Sequence, residues 1–97
     1  MPDYILHYKA EFIDDWMYLK YNFNERNDYK ACESALTFIK ENNDEDRQEI
    51  DNGEKSWQDY CIYKPLRLER ISIQGYAYSI WNVRKSSPIE LTELGHR

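Results

Sequence analysis

Glycine is scarce in this chain, with three in 97 residues. That leaves no phosphate-cradling loop, and neither GxGxxG, GxxxxGK[ST] nor HExxH spacing occurs. The two cysteines, Cys32 and Cys61, stand in no CxxC or other ligand spacing, so reduced, partly buried thiols are expected rather than a metal centre or a disulfide framework. Histidine is as rare. His7 falls within a strand-like segment beside Lys9 and Glu11, and His96 is the penultimate residue; neither has an adjacent Ser, Cys or metal-ligand spacing, and both read as surface residues. With no nucleophile and base to assemble, the sequence points away from an enzyme and implies no cofactor and no metal. No apolar run approaches the roughly 18 residues of a membrane span. The opening Met1 to Lys9 lacks a basic region followed by an apolar stretch, and the expectation is a cytoplasmic chain without a membrane partner.

What is present is enough to fold. Hydrophobic residues make up 41% of the chain and aromatics 15%, including nine Tyr and three Trp, against 32% charged residues. At 97 residues, one domain spanning 1–97 is expected. The net charge of −5 is unevenly spread, since residues 1–54 hold 14 acidic and 6 basic side chains, and residues 55–97 hold 4 acidic and 7 basic. Such a polarity biases the choice of partner.

Periodicity supplies the fold class. Tyr4, Leu6, Tyr8, Ala10 and Phe12 alternate with His7, Lys9 and Glu11; from Trp16 to Phe23 the alternation resumes, with Met17, Leu19, Tyr21 and Phe23 opposite Trp16, Tyr18, Lys20 and Asn22. This predicts a β-hairpin. The spacing then changes to Tyr29, Cys32, Ala35, Leu36 and Ile39, one face of a helix over Asp28 to Asn42, with Asp28 and Glu33 near its start and Lys40 near its end in agreement with the helix dipole. Residues 41–54 read as a loop or a frayed helical extension with a turn at Asn52-Gly53. Ser56 to Lys64 reads as a strand ended by Pro65, Leu66 to Ile73 as a strand with a bulge near Glu69 and Arg70, and Tyr76 to Val83, after a turn at Gly75, as a central or partner-covered strand. Residues 86–97 are expected to form a loosely ordered tail. The whole predicts an α+β domain: an antiparallel sheet of four to five strands in the order ββαβββ, with one helix packed on one face.

Two surfaces compete for function. Glu41, Asp44, Glu45, Asp46, Glu49, Asp51 and Glu54 fall within one 14-residue stretch alongside a single Arg. No EF-hand accounts for them, because Glu49 stands where that loop requires glycine. A solvated acidic surface of this density suits a protein partner with a basic groove, with Trp16, Tyr18 and Trp57 as aromatic anchors. The other surface is basic and aromatic: Lys64, Arg67, Arg70, Arg84 and Lys85 beside Tyr76, Tyr78 and Trp81, the composition of a sheet that holds single-stranded nucleic acid.

In profile, the short, acidic, Tyr-rich α+β chain without catalytic residues resembles the small inhibitors that phages encode against bacterial defence systems, anti-CRISPR proteins among them. The likeness is one of size and composition. It implies a protein-binding inhibitor of a nucleic-acid-handling complex and assigns no residue a role.

Overall fold

The computed structural model describes residues 1–82. Within them the elements run β1 (Asp3–Glu11), β2 (Trp16–Asn24), α1 (Asp28–Asp51), a 3-10 turn (Trp57–Asp59), β3 (Ile62–Ile71) and β4 (Ala77–Asn82). The four strands form one antiparallel sheet in the order β2-β1-β3-β4, with the single helix across one face. The α+β class and the one-helix architecture are as the periodicity predicts.

The alternation of β1 and β2 builds the buried side. Tyr4 lies opposite Phe23, Leu6 opposite Tyr21 and Tyr8 opposite Leu19, so the apolar residues of both strands point the same way. Leu6 lies opposite Leu68 of β3, which in turn pairs with Trp81 of β4. Onto this row the helix lays Ala31, Cys32, Ala35 and Ile39, all buried. Three small side chains there let the helix backbone come close to the sheet. Phe38 closes the β2 side by stacking on Tyr21 at 3.9 Å between ring centroids.

The helix begins where its capping residues put it. Asn27 Oδ1 accepts the Lys30 amide at 2.8 Å, the expected N-cap bond. Asp28 then accepts from Tyr4 Oη at 2.7 Å and from Arg70 Nη1 at 2.9 Å, tying the first turn to β1 and β3.

Its end differs from expectation. Helix α1 continues past Asn42 through the acidic stretch to Asp51, so that stretch is a helical extension rather than a loop, and residues 52 and 53 are turn. Gly53, at φ +77°, closes a Schellman motif in which its amide donates to Ile50 O and the Glu54 amide to Glu49 O. Lys40 therefore sits mid-helix. The last turn holds no basic residue, so the dipole agreement does not survive the longer helix.

Two polar residues on the inner face explain the extension. Among the described residues β4 pairs with Arg67–Ile71 and not with the start of β3. There Asn43 bonds the strand backbone: its Oδ1 accepts the Tyr63 amide at 2.7 Å and its Nδ2 donates to Tyr63 O at 3.0 Å. One helical turn on, Asp46 Oδ2 accepts the Cys61 amide at 3.0 Å, and Oδ1 receives Lys55 Nζ. Asp46 is 4% exposed, so the expectation that it is solvated is corrected.

Three strand expectations are also corrected. Trp57 to Asp59 is a 3-10 turn, and the strand that follows starts at Ile62. Pro65 does not end that strand, because it stands opposite Tyr8 beside a register shift, where no ladder amide is required of it. The two predicted strands are thus one, with a further register shift between Leu68 and Glu69 close to the expected bulge. Among the described residues β4 is an edge strand rather than a central one. Val83 and the predicted tail lie outside the described residues.

Replacing Asp46 with Ala leaves a buried amide and the Lys55 ammonium without their acceptor, and is expected to lower unfolding free energy by about 2–3 kcal/mol. Asp46→Asn, which keeps an acceptor for Cys61, should lose clearly less. Urea denaturation followed by circular dichroism measures both.

Candidate functional site

The sheet has a second face, opposite the helix, built from the polar half of the strand alternation. Cross-strand register stacks its side chains in rows: Tyr18, Lys9 and Lys64 in one, then Lys20, His7, Arg67 and Asn82 in the next. Adjacent rows lie two residues apart, roughly 7 Å, and adjacent strands about 4.8 Å. Four lysine and arginine side chains and one imidazole thus share a band across three strands.

This band breaks a rule of sheet stability, which disfavours like charges directly opposite one another. Lys9 faces Lys64, and His7 stands between Lys20 and Arg67. Two carboxylates hold the arrangement together. Glu11 bonds Lys9 at 2.8 Å with one oxygen and Lys64 at 2.9 Å with the other. These bonds, Lys9's first, keep its carboxyl below the usual glutamate range. Glu69 accepts from His7 Nε2, while Arg67 Nη2 stands 3.4 Å from that nitrogen and 3.7 Å from Glu69 Oε1. His7 and Glu69 are each about five-sixths buried, with side-chain exposures of 17% and 15%.

At the β2 margin, Trp16 and Tyr18 stand edge to face with ring centroids 4.7 Å apart, and are 54% and 67% exposed. Next to them a cleft opens, with His7, Tyr18, Lys20, Leu66, Arg67 and Asn82 in its lining. Among the described residues of the lining there is no serine, threonine or cysteine. Among the described residues no cluster of three or more His, Cys, Asp or Glu side chains could hold a metal, and no helix is long and apolar enough to cross a membrane.

The acidic residues are on the other side of the molecule. Helical spacing puts Glu41, Asp44, Glu45 and Asp51 along one exposed stripe of α1, with Glu54 exposed just beyond the cap. Lys40 pairs with Asp44 at 2.6 Å, an exposed contact. Asp46 and Glu49 are not in the stripe, because both are bound to Lys55 and Asp46 faces inward. Trp57, 64% exposed, lies past the same end of the helix, whereas Trp16 and Tyr18 belong to the opposite face of the sheet. The expected aromatic anchors are therefore not one patch with the acids.

Nor is the predicted basic face a single face. Lys64 and Arg67 are in the band, but Arg70 lies on the helix side, bonded to Asp28 and over the Tyr4 ring. Trp81 is 2% exposed and belongs to the core, correcting its reading as an exposed aromatic. Tyr76 and Tyr78 are exposed near the β3–β4 turn, and Arg84 and Lys85 lie outside the described residues. Sequence reasoning missed Lys9, Lys20, His7 and Glu69. Pairing the two hairpin strands would have put Lys9 beside Tyr18 and His7 beside Lys20; Glu69 is 62 residues from His7 and leaves no local signal.

Both cysteines are free and buried. Burial, and then the charge of Asp28, push the Cys32 thiol up to about 11, so it is protonated at neutral pH and a poor nucleophile. No family model, no curated protein and no solved structure matches the chain.

Because the folded-state pKa of Glu11 is depressed, its pairing contributes stability above the ordinary glutamate value of about 4.3 and loses it as pH falls through the lowered value. Glu11→Gln should lack that acid phase. It should also lower the denaturation midpoint at low ionic strength by exposing Lys9 to Lys64, and the deficit should shrink at 1 M salt, where the Debye length is about 3 Å. Denaturation midpoints across pH and salt test both statements.

Proposed function

We propose that this protein is a non-enzymatic binding module that docks on a basic surface of another protein through the outer stripe of α1. The supporting observation is the register of the helix, which gathers Glu41, Asp44, Glu45 and Asp51 on one exposed line. Acidic side chains crowd the C-terminal half of α1 although the helix dipole disfavours negative charge there, by about 0.3–1 kcal/mol for a residue in the last turn. Lys40 compensates Asp44 within the helix, but the last turn holds no basic residue, and features that break a local rule concentrate at functional sites. A rigid rod of carboxylates fits a groove built to receive phosphates. Such a protein would inhibit a nucleic-acid-handling partner by occupying that groove, in keeping with the resemblance in size and composition to phage-encoded inhibitors.

The test is capture from a lysate of the producing cell, with nuclease treatment to remove nucleic-acid bridges. A specific protein should remain bound after nuclease and elute as salt rises, since exposed charges act within a Debye length of about 8 Å at physiological ionic strength. Changing Glu41, Asp44 and Glu45 together to Lys should preserve the fold, because all three are exposed, and weaken binding on the order of tenfold or more. Undiminished capture by that variant would refute the acidic-stripe reading.

A further inference from the structure

We infer that the open face of the sheet is a second site, which binds single-stranded nucleic acid along the band of Lys9, Lys20, Lys64 and Arg67 with Trp16 and Tyr18 as stacking platform. Three independent features point to that ligand. The first is charge, since the band brings four fixed cations together with two carboxylates, Glu11 held between Lys9 and Lys64, and Glu69 held by the His7 ring with Arg67 3.7 Å away. The surplus faces solvent at Lys20, which is exposed, and at Lys64, whose side chain is 54% exposed.

The second is the repulsion built into the band. Lys9 stands directly opposite Lys64, like charges that a strand pair disfavours and that share the single carboxylate of Glu11. A polyanion laid across the rows relieves that repulsion, so binding and folding favour each other. The third is the aromatic pair. Trp16 and Tyr18 are more than half exposed on an edge strand, and their edge-to-face packing leaves ring faces uncovered beside the cations. An acidic protein surface would use the charge but not the rings, whereas unpaired bases use both: phosphates on the band, bases on the rings.

The net charge of −5 does not oppose this reading. Glu41, Asp44, Glu45 and Asp51 lie on the outer side of α1, and the described chain is 22–24 Å across in its two shorter dimensions, more than two Debye lengths of about 8 Å at physiological salt; Asp14 and Asp15 are exposed in the β1–β2 turn beside Trp16, so the phosphates belong on the Lys20 and Arg67 side of the rings. The sheet therefore presents its own local potential.

The experiment titrates the full chain with a fluorescently labelled 12-nucleotide oligo(dT), following anisotropy and tryptophan emission at several salt concentrations. Binding should quench emission, because a base stacks on Trp16. Affinity should fall with salt at a log–log slope of about −2 to −3, the value for three or four neutralised phosphates on a single strand. Trp16→Ala with Tyr18→Ala should weaken binding at least tenfold, and Trp16→Phe should restore most of it. Lys20→Glu, at an exposed site, should weaken binding and flatten the salt slope while leaving the fold intact. Glu41→Lys with Glu45→Lys on the helix should change affinity by no more than about twofold, which separates this site from the acidic stripe.

No binding at 50 mM salt overturns the inference, as does binding indifferent to the Trp16, Tyr18 and Lys20 changes. Polyglutamate competing as well as the oligonucleotide, with no quench of tryptophan, would make the face a surface for acidic proteins and would also overturn it.

Discussion

A carboxylate withdrawn from water in a protein with excess negative charge needs a compensating structure, and Asp46 has one in the Cys61 amide and the Lys55 ammonium. Together with Asn43 it fastens the helix to the beginning of β3, while Asp28 and Arg70 fasten it to the end of the same strand. The spans agree. From Asp28 to Asn43 the helix rises about 22 Å, and from Arg70 to Tyr63 an extended strand covers about 23 Å. A helix that stopped near Asn42 would carry only one of these attachments. The Tyr63 and Cys61 backbone groups would then lose the partners that Asn43 and Asp46 give them.

The functional surfaces follow from that attachment. Once Asn43, Asp46 and Ile50 face the sheet, Glu41, Asp44, Glu45 and Asp51 have nowhere to point but outward. Once the helix takes one side of the sheet, His7, Lys9, Lys20, Lys64 and Arg67 are left on the other. Opposite charges are thus sorted onto opposite faces by the same residues that settle the packing, although in sequence Lys9 and Lys20 lie in the acidic half of the chain.

The parts that were legible in the sequence are those whose signal is local. Period-two alternation between Tyr4 and Phe23 announced the hairpin and its two faces, and the spacing from Tyr29 to Ile39 announced the helix. The helix end was hidden because its inner positions past Ile39 are filled by Asn43 and Asp46, which read as solvated residues until the Tyr63 and Cys61 backbone groups are brought beside them. Pro65 looked like a strand terminator because its missing amide matters only if a neighbour needs it. Trp81 looked available because Leu68, its cross-strand partner, is remote in sequence. The acidic stripe was visible as composition but not as geometry, and the cationic band was visible in part: Lys64 and Arg67 belonged to the expected basic face, whereas Lys9, Lys20 and His7 join them only through the register of β1, β2 and β3.

The topology divides the described chain into two hairpins, β1–β2 and β3–β4, joined through the helix, with the sheet closed along the β1–β3 seam. Each hairpin pairs residues close in sequence, whereas the seam joins pairs such as His7 and Glu69, 62 positions apart. Loop-closure entropy grows only slowly with length but must be met before the distant contacts reward it. The β1–β3 seam is therefore the non-local part of the sheet, and the helix between the two hairpins shortens the span of chain that separates them, at about 1.5 Å per residue against about 3.3 Å for extended chain. The acidic segment that Asn43 and Asp46 hold helical thus sets the length of that connection as well as the finished surface.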